Sequence, residues 1–162
     1  MEARIAGLSR VLMDCVRGGA SVSFMTPLAP GTADAFWLGV RDRVADGTTE
    51  LLVAEQDGDV AGTVQLVMAQ PENQPHRADV AKMLVHRRAR RRGIGRALMV
   101  AAEVLARGRG KTLLVLDTAT GGDAERLYRG LNWTEVGRVP GYALYPDGQP
   151  CDTTIFYKNL AP

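Results

Sequence analysis

The stretch Lys82-Met-Leu-Val-His-Arg-Arg-Ala-Arg-Arg-Arg-Gly-Ile-Gly-Arg-Ala-Leu-Met99 carries an apolar run into a basic turn, and two glycines then open a new segment. Beyond the glycines, Ile94, Ala97, Leu98, Ala101, Val104 and Leu105 recur at helical spacing, with Gly108 and Gly110 past the end. This is a strand–turn–helix junction. The first N–H groups of a helix lack an intrahelical partner, and the helix dipole favours negative charge there. Gly93 and Gly95 allow a diphosphate to approach the main chain with no Cβ in the way, and Arg90, Arg91, Arg92 and Arg96 can neutralise it. No Gly-Lys-Ser/Thr follows, and Leu98 stands where a dinucleotide fingerprint needs its third glycine. The turn is therefore neither of those two nucleotide loops.

Charge supports an anionic ligand here. Residues 77–111 hold eleven Lys/Arg and two Asp/Glu, against nine and sixteen in the rest of the chain. The length of 162 residues sets an expectation of one domain, 1–162. Upstream, Ile5, Leu8, Leu12 and Cys15/Val16 predict a helix stopped by Gly18-Gly19, and Thr32 or Asp34 is the expected cap of a second. Strands are predicted at 51–55, 60–69 and 77–86, the first two joined by a Gln56-Asp57-Gly58-Asp59 hairpin. After the central helix come a strand at 112–116, a loop at 118–123, a helix at 124–131, and strands at 133–139 and 153–157, with turns at Pro140-Gly141 and Pro146-Asp147-Gly148. That order predicts an α/β (α+β) fold, a mixed sheet with helices on its faces.

Arg90-x-x-Gly93-x-Gly95 between an apolar strand and an amphipathic helix resembles motif A of the GCN5-related N-acetyltransferase (GNAT) superfamily. Ala124-Glu-Arg-Leu-Tyr128-Arg-Gly-Leu-Asn-Trp133 is similar to that family's later segment. The resemblance implies a mostly antiparallel sheet splayed between two central strands. It implies acetyl-CoA as cofactor, with its pyrophosphate in the turn of Arg90, Arg91, Arg92, Gly93, Ile94, Gly95, Arg96 and Ala97. The main-chain N–H groups of Leu84 and Val85 would meet the thioester and pantetheine arm, alongside Ala124 and Tyr128, whose phenol would point at the sulfur. Within the superfamily, Gly18-Gly-Ala-Ser-Val-Ser-Phe-Met25, Arg77-Ala-Asp-Val-Ala-Lys82, Leu116-Asp-Thr118 and Pro140-Gly-Tyr142 with Pro146-Asp-Gly148 resemble the tabtoxin-resistance acetyltransferases. That implies a small, amino-acid-like amine as acceptor and a role in toxin or antibiotic resistance. Gly121 stands where the family often has Asn, and Asn132 where it has Gly; Asn tolerates the left-handed conformation of a helix end. The family usually opens with a strand, which is expected to be missing or short here.

Acetyl transfer to an amine of ordinary basicity, pKa about 10.4, benefits from a base. Asp79, on the strand before the turn, and Asp117, after the apolar run Leu113–Leu116, are the candidates. Asp79 serves as the base or pairs with Arg77 or Lys82; Asp117 serves the site or caps a turn. Tyr128 can donate a proton to the leaving sulfur or pack in the core. His76 and His86 have no partner at metal-ligand spacing, so no metal site is expected. Aromatics are 6% and none interleave with the arginines, so nucleic acid is not an expected partner. No run approaches a membrane span, and Cys15 and Cys151 read as free thiols in the cytoplasm. A monomer or homodimer is expected.

Overall fold

The computed structural model describes residues 4–160. Helices α1 (Ile5–Arg17) and α2 (Pro30–Ala45) come first. They are followed by β1 (Thr49–Gln56), β2 (Asp59–Met68), β3 (Arg77–Val85), α3 (Ile94–Gly108), β4 (Leu113–Ala119), α4 (Asp123–Gly130), β5 (Thr134–Leu144) and β6 (Pro150–Asn159). The strands form one sheet in the order β1-β2-β3-β4-β6-β5. Among the described residues only β3 and β4 pair in parallel; the other pairings are antiparallel. The mixed, mostly antiparallel sheet implied by the sequence is the one observed.

Each face buries its own core. α1 contributes Leu8, Val11, Leu12 and Cys15, packed with Trp37 and Val40 of α2 and with Val60 and Leu84 of the sheet. On the other face, Leu98, Met99, Ala102 and Ala106 of α3 cover Val64, Leu66, Ala78, Val80, Leu114 and Leu116. Burying one such leucine or valine contributes about 1.5–3 kcal/mol. Because strand side chains alternate, Ala78, Val80, Leu114 and Leu116 face α3, and Asp79, Val115 and Asp117 face the side of α1 and α2. Glu103 of α3 ties the second core to the far strands. It accepts from Trp133 Nε1 at 3.2 Å and Lys158 Nζ at 2.7 Å.

Local chemistry explains most element ends. Asp57 (φ 53°) and Gly58 (φ 80°) form the left-handed pair that a tight hairpin requires. α4 ends as the Asn132 substitution predicts: Asn132 is left-handed (φ 60°), its N–H donates to Arg129 O at 3.1 Å, and Trp133 N–H donates to Tyr128 O at 3.0 Å. Other expectations are corrected. Thr32 and Asp34 do not cap α2, which starts at Pro30 with its preset φ; Asp34 instead accepts a hydrogen bond from Ser9 Oγ at 2.5 Å. Pro140-Gly141 is not a turn but an irregularity inside β5, where pairing with β6 shifts register and Gly141 N–H donates to Asp152 at 2.8 Å. β4 runs on through Asp117 to Ala119, because β6 supplies antiparallel partners for all of it. No strand precedes α1 among the described residues.

The decisive feature is where β3 and β4 part. They are in register only at Arg77↔Leu113, Ala78↔Leu114 and Asp79↔Val115. Farther along β3, the pairs Gln65↔Ala81 and Thr63↔Leu84 leave Lys82 and Met83 opposite Val64, with Lys82 left-handed at φ 50°. Such a bulge bends a strand and ends regular pairing. β3 stays with β2, β4 stays with β6, and a notch opens between them.

Candidate active site

The basic turn meets the open end of that notch. Arg87–Ala89 form one 3₁₀ turn, and Gly93 (φ 80°) precedes α3 with no side-chain cap. Ala97 N–H donates to Gly93 O at 2.9 Å, so the N–H groups of Ile94, Gly95 and Arg96 are the first-turn donors without a helical acceptor. Ala97, included by sequence, has its N–H engaged by the helix. The two glycines do different work. A Cβ at Gly93 would meet nothing within 4 Å, so that position is glycine for its φ; a Cβ at Gly95 would stand 3.2 Å from Leu127 Cδ2, so that position is glycine for close packing of α3 on α4.

The arginines sort into two groups. Arg87 Nε donates to Asp14 at 3.0 Å and Arg88 Nη2 to Asp59 at 2.9 Å. Arg90, expected at the phosphate, is exposed and donates from Nε to Val85 O at 3.1 Å. Arg91 (φ 59°), Arg92 and Arg96 are exposed and carry no ion pair among the described residues. Three arginines thus hold the turn, and three remain for a ligand.

At the notch, His86 N–H donates to Ala61 O at 2.9 Å. Two-residue alternation turns Leu84 N–H the same way, toward β2, while the backbone groups of Val85 face the opening. Val85 is therefore the main-chain donor there, and Leu84 is a buried core side chain. Across the gap, Asp117 is exposed on β4 and has no ion pair among the described residues. Tyr128 of α4 is buried against Trp133 and Phe156, each ring centroid 6.0 Å away. Burial, and then the negative charge of Asp117, push its phenol far above its ordinary pKa, so it holds its proton at neutral pH. Ala124 lies one turn before Tyr128 on the same helical face. Asp79 sits at the last β3–β4 pair and is bound by Arg77. The family's Asn position is left-handed here (Gly121, φ 81°), and its N–H donates to Glu125.

A model of the acetyltransferase (GNAT) family matches residues 21–133. The chain belongs to the GNAT acetyltransferase family. An uncharacterized N-acetyltransferase from the hisH–hisA intergenic region of Azospirillum brasilense is 34% identical over 64% of this chain, and the match spans 61% of that relative. The ribosomal-protein-alanine N-acetyltransferase of Brucella melitensis superposes with TM-score 0.84 at 25% identity, over 98% of this chain and 96% of its own. A Salmonella typhimurium protein, yncA, solved with its cofactor acetyl-CoA, superposes with TM-score 0.83 at 21% identity, over 100% and 91%. Acetyl-CoA is the cofactor of GNAT acetyltransferases. The residues here fit it: an uncapped helix start, a left-handed glycine with open space before it and three unpaired arginines suit a diphosphate. Among the described residues no helix is long and apolar enough to cross a membrane, and no group of His, Cys, Asp or Glu is arranged for a metal.

Sequence reasoning overlooked the residues by which α1 grips this GNAT turn. Asp14 accepts from Arg87 N–H at 2.8 Å as well as from its side chain, and His86, expected on the surface, is half-buried with Nδ1 3.5 Å from Asp14. Burial would raise the Asp14 pKa, but the Arg87 hydrogen bonds and the nearby His86 outweigh it and hold the carboxyl below its usual range. Cys15 donates from its thiol to Val85 O at 3.5 Å. Both lie on the same edge of an amphipathic helix, and only the absence of a polar reason for Asp14 beside a core cysteine hinted at it.

Proposed function

We propose that this chain is an acetyl-CoA-dependent N-acetyltransferase acting on the primary amine of a small molecule, by direct transfer in a ternary complex. One observation carries the reading: β3 and β4 part beyond Asp79↔Val115, with the uncapped, arginine-flanked start of α3 following β3 on one side and Asp117 exposed on β4 on the other, its charge bearing on the buried Tyr128. Acetyl-CoA supplies the acyl thioester. Ile94, Gly95 and Arg96 N–H groups with Arg91, Arg92 and Arg96 side chains hold the diphosphate, and Val85 N–H is the donor for the thioester oxygen. Asp117 Oδ accepts a proton from the acceptor ammonium. Tyr128 Oη keeps its proton and presents it to the departing sulfur. Asp79, bound by Arg77, tunes charge at the rim.

A small acceptor suits the cover over the acceptor side. Ser21 Oγ donates to Leu144 O at 2.7 Å and Thr26 N–H to Pro146 O at 3.0 Å, so the α1–α2 loop is stapled to the β5–β6 hairpin. Both cysteines are buried and unpaired, which suits a reducing compartment such as the cytoplasm. A thiol-release assay with acetyl-CoA across small amines, including amine toxins and antibiotics, tests the reading. Release with one or more small amines is expected. Acetyl-CoA that raises the melting temperature while no amine releases thiol would overturn it in favour of an acyl-CoA sensor.

A further inference from the structure

Among the described residues, five non-glycine residues have positive φ: Ser23, Asp57, Lys82, Arg91 and Asn132. Asp57 makes the hairpin turn, Asn132 ends α4 and Arg91 shapes the diphosphate turn. Lys82 (φ 50°) makes the β3 bulge and Ser23 (φ 79°) lies in the α1–α2 loop, and they meet: Lys82 Nζ donates to Ser23 Oγ at 3.0 Å. A left-handed backbone is unfavourable for a side chain of either kind, and such strain gathers where function requires it. The strained bulge aims an ammonium group off β3, toward the α1–α2 loop. The ammonium has no carboxylate within ion-pair distance among the described residues, whereas the half-buried Arg77 of the same strand pairs with Asp79. Asp117 of β4 and Arg43 of α2 are the charged groups that bear on it, with opposite sign.

We propose that Lys82 binds a carboxylate carried by the acceptor, so that the substrate is an amino acid whose amine lies toward Asp117. The proposal rests on the transferase reading of the notch and names its acceptor class. A cation and an anion that act on each other without forming an ion pair, Lys82 and Asp117, complement a molecule bearing both charges of the opposite order. The ammonium of Lys82 is half-buried and already partly desolvated. Burial lowers its pKa and Asp117 opposes that shift. A ligand carboxylate would therefore meet a cation that has lost much of its water, where charge-assisted hydrogen bonds are strong. Ser23 leaves Nζ with two further donors for this purpose.

The test is binding, read without turnover. The twenty standard L-amino acids and their C-terminal carboxamides are titrated by calorimetry into the wild-type protein saturated with coenzyme A, and into Lys82→Met and Lys82→Gly. At least one amino acid should bind wild type ten-fold or more tightly than its carboxamide, and that ratio should fall below about three-fold in both variants. Lys82→Gly removes the strain, so its melting temperature should hold or rise while the preference disappears, which separates ligand binding from a structural role. A preference that survives in both variants, or no amino acid bound better than its carboxamide, would overturn the proposal, as would tighter binding of a peptide amine with no nearby carboxylate. Should the amino acid bind through Lys82 without thiol release, the role of Lys82 stands and the transferase reading fails.

Discussion

The two walls of the notch are built in opposite ways. The wall proposed for the donor is one continuous stretch, from Leu84 to Met99, in which strand, turn and helix follow without interruption. The wall proposed for the acceptor is assembled from Ser23 on one loop, Lys82 on a bulge, Asp117 on β4, Tyr128 on α4 and the β5–β6 hairpin. The donor wall is anchored by main-chain geometry, so its chemistry tolerates changes of side chain but not of backbone. The acceptor wall relies on individual side chains held by distant packing, so single atoms matter there and the backbone matters less.

That contrast can be broken at several places. Asp117→Asn and Tyr128→Phe each change one polar group, and each should lower kcat for the best amine by about 10²-fold or more with little effect on the KM for acetyl-CoA. If both leave kcat intact, the acceptor wall does no proton chemistry. On the donor wall, Gly93→Val forces a branched side chain into φ 80°, and Gly95→Val presses on Leu127; each should raise the KM for acetyl-CoA by about ten-fold or more, whereas Gly95→Ala, facing one movable methyl, should cost far less. Equal tolerance of valine at both glycines would move the diphosphate elsewhere.

Smaller effects sharpen the assignment of the arginines. Arg91→Ala and Arg92→Ala should each weaken acetyl-CoA binding by a few-fold, with the loss shrinking at high salt because exposed charges are screened. Arg90→Ala should act on stability as well, since its guanidinium holds Val85 O. Asp14→Ala should destabilise the fold by about 1–3 kcal/mol, the scale of losing charge-assisted hydrogen bonds at a half-buried site. Its carboxyl has a depressed folded pKa, so the stability it contributes is present above the unfolded value of about 3.9 and is lost as pH falls through the folded value. Chemical denaturation of wild type and variant should accordingly differ at pH 7 and converge in strong acid. Asp79→Asn should change kcat least of all, under about three-fold, because Arg77 already binds that carboxylate at the exposed rim.

The sequence by itself determined the element order, the α/β class and the location of the glycine-opened basic turn before α3. Those follow from local rules: helical and strand periodicity, the need for glycine at a left-handed position, and unpaired N–H groups at a helix start, all readable within a few residues of chain. It also determined that Asn132 would end α4, for the same local reason. It did not reveal that Arg90 binds Val85 O, that Asp14 holds the turn, or that Pro140-Gly141 continues a strand, since each depends on what another segment places opposite. The bulge at Lys82 is the sharpest case. Nothing in Ala81-Lys82-Met83 marks an extra residue, because a register shift is a relation between two strands and exists only once β2 has fixed one side and β4 has let go of the other.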